Sequence, residues 1–404
     1  LKINEAKIGP LSGLFPIFIS SFGLGIALGG YIPLVAMWLE SIEVSFSSIG
    51  LITGSSSIGV IVSAYLGPRL VQRIGYLNGA LYGIILASII GVIFRFCTTE
   101  PLWICLRIIA GFGFGTHWVI SEAWLGQIVS NRYRTKATSM YVGAMALGFS
   151  LGPCVIWITG ISTVTPFIIL GALQIFSVLP LLLLKNAQPR HGKEILKSPF
   201  FLIKSAPTIA AGVMLVGMID LSIISLIPAL VQKMPMAILV LSFLLPVAGG
   251  LGCVALQYPL AILSEKIGNL RTAYYITILG VGFCAMIPFF LTIVVFPLLL
   301  SFFGCGLIYF MYTLSLSRLS KRFKGNELIS ANASFIILFE ISSFIGPLIG
   351  GLLLDKSLNY GLSTFLVITG GIYVFIVKLR ANYKAQIVVH GDKHHGAFKT
   401  GKEE

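Results

Sequence analysis

The chain alternates long apolar runs with short polar or charged breaks. Lipid offers no partners for backbone N–H and C=O groups, so a crossing segment satisfies its own as a helix of about 20 mostly apolar residues. That criterion predicts six spans near Leu11–Trp38, Ile49–Leu66, Leu77–Phe96, Leu102–Gln127, Thr138–Gly160 and Pro166–Leu184. Six more are expected near Pro207–Val231, Met236–Leu263, Ala273–Phe290, Phe296–Leu319, Leu328–Leu354 and Leu362–Val377. Two boundaries rest on turn formers rather than on charge. Ala137–Leu184 and Thr272–Ser317 carry no charged residue and are each too long for one crossing, so the breaks fall at Ser162–Pro166 and between Pro288 and Pro297. The expected fold is an all-α polytopic membrane protein of twelve transmembrane helices.

Composition supports the same reading. Of the 404 residues, 56% are hydrophobic and 10% charged, against about a quarter charged in a soluble domain, and the mean hydropathy is +0.96. A net charge of +14 could by itself suggest nucleic acid, but its distribution marks one membrane surface. With the amino terminus inside, the loops holding Arg69 and Arg73, Arg132 to Lys136, Lys185 to Lys204, Lys266 and Arg271, and Arg318 to Lys324, together with both tails, place 24 of the 28 basic residues on the cytoplasmic side. Only Arg95, Arg107, Lys233 and Lys356 remain for the outer side and the bilayer. One miscounted span would erase that bias, so an even number of spans and two cytoplasmic termini are expected.

The first apolar run, ten residues in, lacks a cleavage pattern and is expected to stay as an uncleaved first span, although the chain begins with Leu. Residues 1–184 and 206–380 are expected to form two six-helix bundles. They are joined by a cytoplasmic connection, 185–205, and followed by a tail, 381–404. His390, His394 and His395 in that tail are expected to be solvated rather than metal ligands, since nothing apolar nearby would hold them in place. The six cysteines lack the spacing of a metal site or a disulfide framework and read as small packing residues.

Three short patterns repeat in order. Arg73-Ile-Gly75 recurs as Lys266-Ile-Gly268 and Gly111-x-Gly113 as Gly304-x-Gly306, both displaced by 193 residues; Gly152-Pro153 recurs as Gly346-Pro347, displaced by 194. This indicates a duplicated six-helix unit, and parallel repeats are an established transporter plan. On these residues the chain resembles the major facilitator superfamily over nearly its whole length. Pro68-Arg-Leu-Val-Gln-Arg-Ile-Gly75 is similar to a degenerate form of the family's loop motif after span two, with Gln72 where an Asp is usual; Ala261-Ile-Leu-Ser-Glu-Lys-Ile-Gly268 stands closer, with Glu265 at the acidic position. Arg107-Ile-Ile-Ala-Gly111-Phe-Gly113 resembles the span-four motif, and Gly148-x-x-x-Gly152-Pro153 the span-five motif common in antiporters. Ser121-Glu-Ala-Trp-Leu125 and the stretch from Phe303 to Tyr312 look most like the YcaD-like branch.

Ionisable groups inside a span cost about 2.5 to 3.5 kcal/mol on insertion scales and usually face a partner or a wet cavity. Asp220 and Glu340 lie midway along their spans and are proton-carrier candidates; the alternative for each is a carboxyl hydrogen-bonded between helices. The resemblance implies a cavity lined by spans one, four, seven and ten, which favours Asp220. Arg107, Gly111, Trp118 and Glu122 share one helical stripe, and Arg107 and Glu122, about 22 Å apart, cannot pair with each other. Arg107 is a candidate for an anionic group or a facing acid, with a structural hydrogen bond as the alternative. Glu122 is a candidate for a gate-closing ion pair with Arg73 or with the loop that includes Arg134. Tyr31, Trp38, His117, Trp118, Tyr309 and Tyr312 are possible substrate contacts, though aromatics also favour membrane interfaces. Gly111, Gly113, Gly148, Gly152 and Gly346 are read as close-packing positions, with Pro153 and Pro347 as sites of bending.

These residues point to a secondary transporter. It is expected to move a small organic solute by alternating access, coupled to protons through Asp220, with export by antiport as the first reading. Uptake by symport, uncoupled facilitation and a non-transporting membrane receptor or assembly partner are the alternatives. The expected setting is a bacterial inner membrane, with the protein a monomer. Its expected partners are substrate, protons and lipid; no cofactor, metal, nucleic acid or enzymatic chemistry is expected.

Overall fold

The computed structural model describes residues 11–129, 134–188, 200–323 and 326–396. Among them the regular structure is helical. Eleven helices are long and apolar enough to cross a membrane, and the bent pair Leu241–Ala255 and Gln257–Ile267 makes a twelfth. In chain order they are α1 (Phe15–Ser41), α2 (Phe46–Gly67), α3 (Arg69–Phe94), α4 (Glu100–Ile128), α5 (Arg134–Thr159), α6 (Thr165–Asn186), α7 (Pro207–Gln232), α8 (the bent pair), α9 (Asn269–Phe290), α10 (Val295–Arg322), α11 (Asn326–Lys356) and α12 (Gly361–Gly396). Pro16, Pro101, Pro166 and Pro207 sit in first turns, where a missing N–H forfeits no intrahelical bond. Ser45 caps α2 by accepting from Ser48 N at 3.3 Å.

Four segments depart from the expected spans. Pro68–Gly75, expected as a loop, stays helical: α2 and α3 form one run whose non-helical residue is Gly75 (φ 85, ψ 168). Straight, its 49 residues would measure about 74 Å against a hydrocarbon core of about 30 Å, so the chain must reverse, and it does so in a backbone conformation that side chains resist. Next, α8 begins at Leu241 rather than Met236 and bends by 47° at Leu256, where Pro259 removes the donor due to the Ala255 carbonyl. The end of α6 tightens into a 3-10 turn from Leu179, just before Pro180. Finally, α12 runs on as helix to Gly396 instead of ending near Val377. The expected loop cations Arg132, Arg190, Lys193, Lys197 and Lys324 lie outside the described residues, as do the side chains of Arg134, His390, His394 and His395.

Lipid tails give helices little hydrophobic reason to associate, so close packing rests on small residues. A Cβ on Gly111 would fall on Ser56 O and one on Gly115 on Ser63, so α2 and α4 run parallel; Gly83 faces Gly113 and Gly79 faces Ile120, so α3 runs antiparallel to α4. In the second half Gly252 abuts Phe302 and Gly306 abuts Leu256, making α8 and α10 the same parallel pair. Gly148 on Phe22 and Gly152 on Gly30 join α5 to α1, as Gly217 on Phe339 and Gly346 on Met218 join α7 to α11. Gly268 (φ 87) reproduces the Gly75 turn (φ 85), and Pro33 in α1 is answered by Pro228 in α7. The twelve helices thus form two pseudo-symmetric six-helix bundles. They meet along α2–α11, where Gly50 abuts Pro347 and Gly351 abuts Phe46, and along α5–α8, where Gly250 abuts Ser150. One end of the molecule, the distal face, carries the short turns after α1, α3, α5, α7, α9 and α11; the opposite end, the terminal face, carries the Gly75 and Gly268 turns and the start of α1.

Candidate functional site

Between the bundles lies a cavity of about 170 Å³ open to water-sized molecules. The same four helices of each half line it: α1, α2, α4 and α5 from the first, α7, α8, α10 and α11 from the second. Its wall is mostly apolar, with Leu28, Ile32, Phe114, Trp118, Ile224 and Phe339 among the lining residues. Asp220 and Glu340 also line it, and no Lys, Arg or His is among its described lining residues. Glu340 is buried (5% exposed) and meets the Ser57 hydroxyl across the α2–α11 seam. Cys253 and Tyr309 line the cavity with Asp220 and feel its charge. Ser343, one turn beyond Glu340, is 3% exposed and its Oγ has no hydrogen-bond partner among the described residues.

The distal end is drawn together by polar contacts that span the two halves. The Asp355 carboxylate at the end of α11 accepts from Phe46 N (2.8 Å) and Ser47 N (2.9 Å), so it holds the free N–H groups that open α2. Lys233, just past α7, stands 3.6 Å from Glu40 in α1 and 5.5 Å from the Phe46 ring centre.

This plan of paired six-helix bundles is matched by known proteins. Residues 17–347 match the Major Facilitator Superfamily. The chain belongs to that superfamily. Its relatives include the uncharacterized MFS-type transporter YfkF of Bacillus subtilis, 24% identical over 371 residues, covering 87% of this chain and 90% of that protein. The uncharacterized MFS-type transporter YcaD of Salmonella enteritidis is 24% identical over 377 residues, covering 86% and 90%. Among solved structures, a point variant of the nucleoside transporter NupG superposes with a TM-score of 0.70 at 15% identity, covering 91% of this chain and 98% of that one, and shows the shared fold. The protein is a secondary transporter, a member of a superfamily of transporters and not of enzymes, and it resides in the membrane.

Within this superfamily fold the sequence candidates separate into two groups. Trp118, Tyr309, Asp220 and Glu340 line the cavity together, and Tyr312 stacks on Tyr309 with ring centres 5.8 Å apart. Three expected cavity residues lie instead in helix seams, because hydrogen bonding holds them there. Arg107 is 5% exposed and gives its Nη2 to Thr53 O (3.4 Å) and Ser56 Oγ (3.2 Å) of α2. Tyr31 donates to Phe167 O (2.8 Å), and His117 pairs with Ser20 (3.0 Å). Trp38 is packed edge-on against Phe94 and Trp103. Glu122 meets the Trp118 indole one turn earlier in α4, whereas Arg73 is exposed on the terminal face. Glu265 and Lys266 are exposed just before the Gly268 turn.

Sequence reasoning missed Asp355, Glu40 and Lys233, which sit at helix ends where charge is ordinary. It also missed Gln188, whose Oε1 accepts from Leu77 N (3.2 Å) and steadies the Gly75 turn.

Proposed function

We propose that the protein exchanges protons for a small organic solute, exporting the solute, and that Asp220 and Glu340 carry the protons. The observation that carries this reading is that two carboxyl groups share one largely apolar cavity between the bundles, without a described cationic side chain to neutralise them. In such surroundings a bare carboxylate is costly, so each group binds a proton or an opposite charge, and the bundles rock with that state. Export follows the resemblance of the Gly148 to Pro153 stretch to the motif common in antiporters.

In this reading the terminal face is cytoplasmic. Exposed Arg69, Arg73, Lys266, Arg271, Lys321 and Arg322 gather there, as the positive-inside rule requires. The structure then corresponds to a state shut on the outer side by Asp355 and by Glu40 with Lys233. Residues 1–184 and 206–380 act as the two moving bodies, joined by 185–205, within a bacterial inner membrane and as a monomer. Glu122 with Trp118 lies on the cytoplasmic approach to the cavity. The family motif residues Arg73, Gly75, Arg134, Glu265, Lys266 and Gly268 shape the cytoplasmic turns on which the bundles pivot.

The test uses inverted membrane vesicles energised to an acid interior, with a pH-sensitive dye reporting the gradient while a metabolite and drug panel is added. At least one compound should release the gradient in wild-type vesicles and none in vesicles bearing folded Asp220→Asn. Compound uptake that leaves the gradient untouched would show an uncoupled facilitator instead.

A further inference from the structure

We infer that the transported solute is a hydrophobic organic cation that takes the place of the protons on Asp220 and Glu340. The inference rests on the transport reading above and names its substrate class. At roughly 30 Å³ of liquid volume per water, the 170 Å³ cavity holds about half a dozen waters, which is space for an organic ligand. Such a molecule finds aliphatic surface from both bundles and the rings of Phe114, Trp118, Tyr309 and Phe339, which suit the face of a cation as well as apolar bulk.

Charge then decides between ligands of equal size. The groups on α8 and α10 that line the cavity with Asp220 include the thiols of Cys253 and Cys305 and the phenol of Tyr309; those near Glu340 are the Ser57 hydroxyl and the Tyr312 phenol. None is a cation. Arg107, the basic side chain that the sequence placed nearest, is not among the lining residues and gives its Nη2 to Thr53 O and Ser56 Oγ of α2. An anion entering this space would meet two acids and no cationic side chain among the described lining residues, whereas a cation supplies the charge that the carboxylates lack. Ser343 Oγ, buried and without a partner among the described residues, offers a hydrogen-bond acceptor or donor beside Glu340 for a polar hydrogen or oxygen of the same ligand. Because proton and cation occupy the same oxygens, loading one expels the other, and exchange follows without a separate coupling device.

Tetraphenylphosphonium and tetraphenylborate are a matched pair, alike in shape and opposite in charge. Titration calorimetry on the full chain in lipid nanodiscs, run in two buffers of different ionisation enthalpy, reads both affinity and proton release. The phosphonium should bind with proton release, more tightly at alkaline than at mildly acid pH, while the borate should not bind in the cavity. Asp220→Asn and Glu340→Gln should each weaken phosphonium binding by about tenfold or more, and wild-type proton release stands as evidence independent of either variant. Equal or tighter borate binding, absence of phosphonium binding, or phosphonium binding unchanged in both variants would overturn the inference. Borate binding would leave the vesicle pH-gradient result intact. A silent gradient with carboxylate-dependent phosphonium binding would instead remove proton coupling and leave the cation.

Discussion

The two halves share a backbone plan and divide the chemistry. Gly75 and Gly268 adopt the same positive-φ turn, and the parallel pairs α2–α4 and α8–α10 approach through glycine in both halves. Yet the repeat offset that pairs these glycines sets Glu340 of α11 against Ala146 of α5, and Ser56 and Ser57 of α2 against Gly249 and Gly250 of α8. All of these residues line the cavity. Both halves thus contribute hydroxyls and rings, while both acids come from the second. Duplication preserves what the backbone needs, namely close approach and a reversible turn. It leaves free the side chains that a solute would touch.

The largest test of that division removes the second half's acid. Folded Asp220→Asn should reduce proton-coupled flux by about a hundredfold or more, the scale of losing a positioned proton carrier. A stronger form moves the carboxyl across the pseudo-symmetry axis. In Glu340→Ala carrying Ala146→Glu, the acid re-enters the same cavity from the opposite bundle. If the cavity requires charge rather than a particular helix, this pair should recover about tenfold of the flux that Glu340→Ala loses. Reconstituted vesicles measure both, and no recovery would tie the function to α11 itself.

Packing should be asymmetric in a smaller way. A methyl on Gly111 meets the Ser56 backbone, which cannot yield without moving α2, whereas one on Gly304 meets first the Cys284 thiol, the end of a side chain that can rotate. Gly111→Ala should therefore lower stability by about 1–3 kcal/mol and Gly304→Ala by less, read as a larger Tm loss for the first variant in the same detergent. Equal losses would mean that the repeated glycines are equivalent in energy as well as in position.

Most of the fold could be read from the sequence because lipid imposes a coarse, local rule: each apolar run of sufficient length becomes a helix. What the rule did not reach was set by single residues. Pro259 bends α8, and Gly75 turns a run that otherwise stays helical through the expected loop. The site was half legible. Asp220 and Glu340 stand out because charge is rare inside a span, but the direction in which Arg107, Tyr31 and His117 point depends on tertiary partners, Thr53, Phe167 and Ser20, that no local pattern reveals. The family resemblance favours Asp220 over Glu340 because it implies a cavity lined by spans one, four, seven and ten; in the structure α2, α5, α8 and α11 line it as well.

The distal contacts extend the asymmetry to gating. Asp355 of the second half grips the start of α2, while its repeat position in the first half, just past the end of α5, is Ile161, so one seam is latched and the other is only packed. With two charge-assisted bonds lost in part, Asp355→Asn should raise the population open at the distal face by about tenfold. A variant keeping only Cys305 reports this, since that thiol lines the cavity: an impermeant thiol reagent applied from the distal side should label it about tenfold faster.

The smallest effect belongs to the neighbouring ion pair. Lys233 is 41% exposed on its side chain and 3.6 Å from Glu40, so water screens the pair, and bridges of this kind contribute about 0–1 kcal/mol. Lys233→Gln should therefore speed Cys305 labelling by no more than about fivefold, and raised salt should mimic part of that change in the unaltered protein while leaving the Asp355 latch less affected. Both residues join the same two halves at the same face, and they differ in whether the bonded groups are fixed. Asp355 is held by two backbone N–H groups of a helix start, and Lys233 by the reach of a flexible chain. If Lys233→Gln opened the distal side as far as Asp355→Asn, charge alone would govern that closure, and the special place given to the α2–α11 seam would be lost.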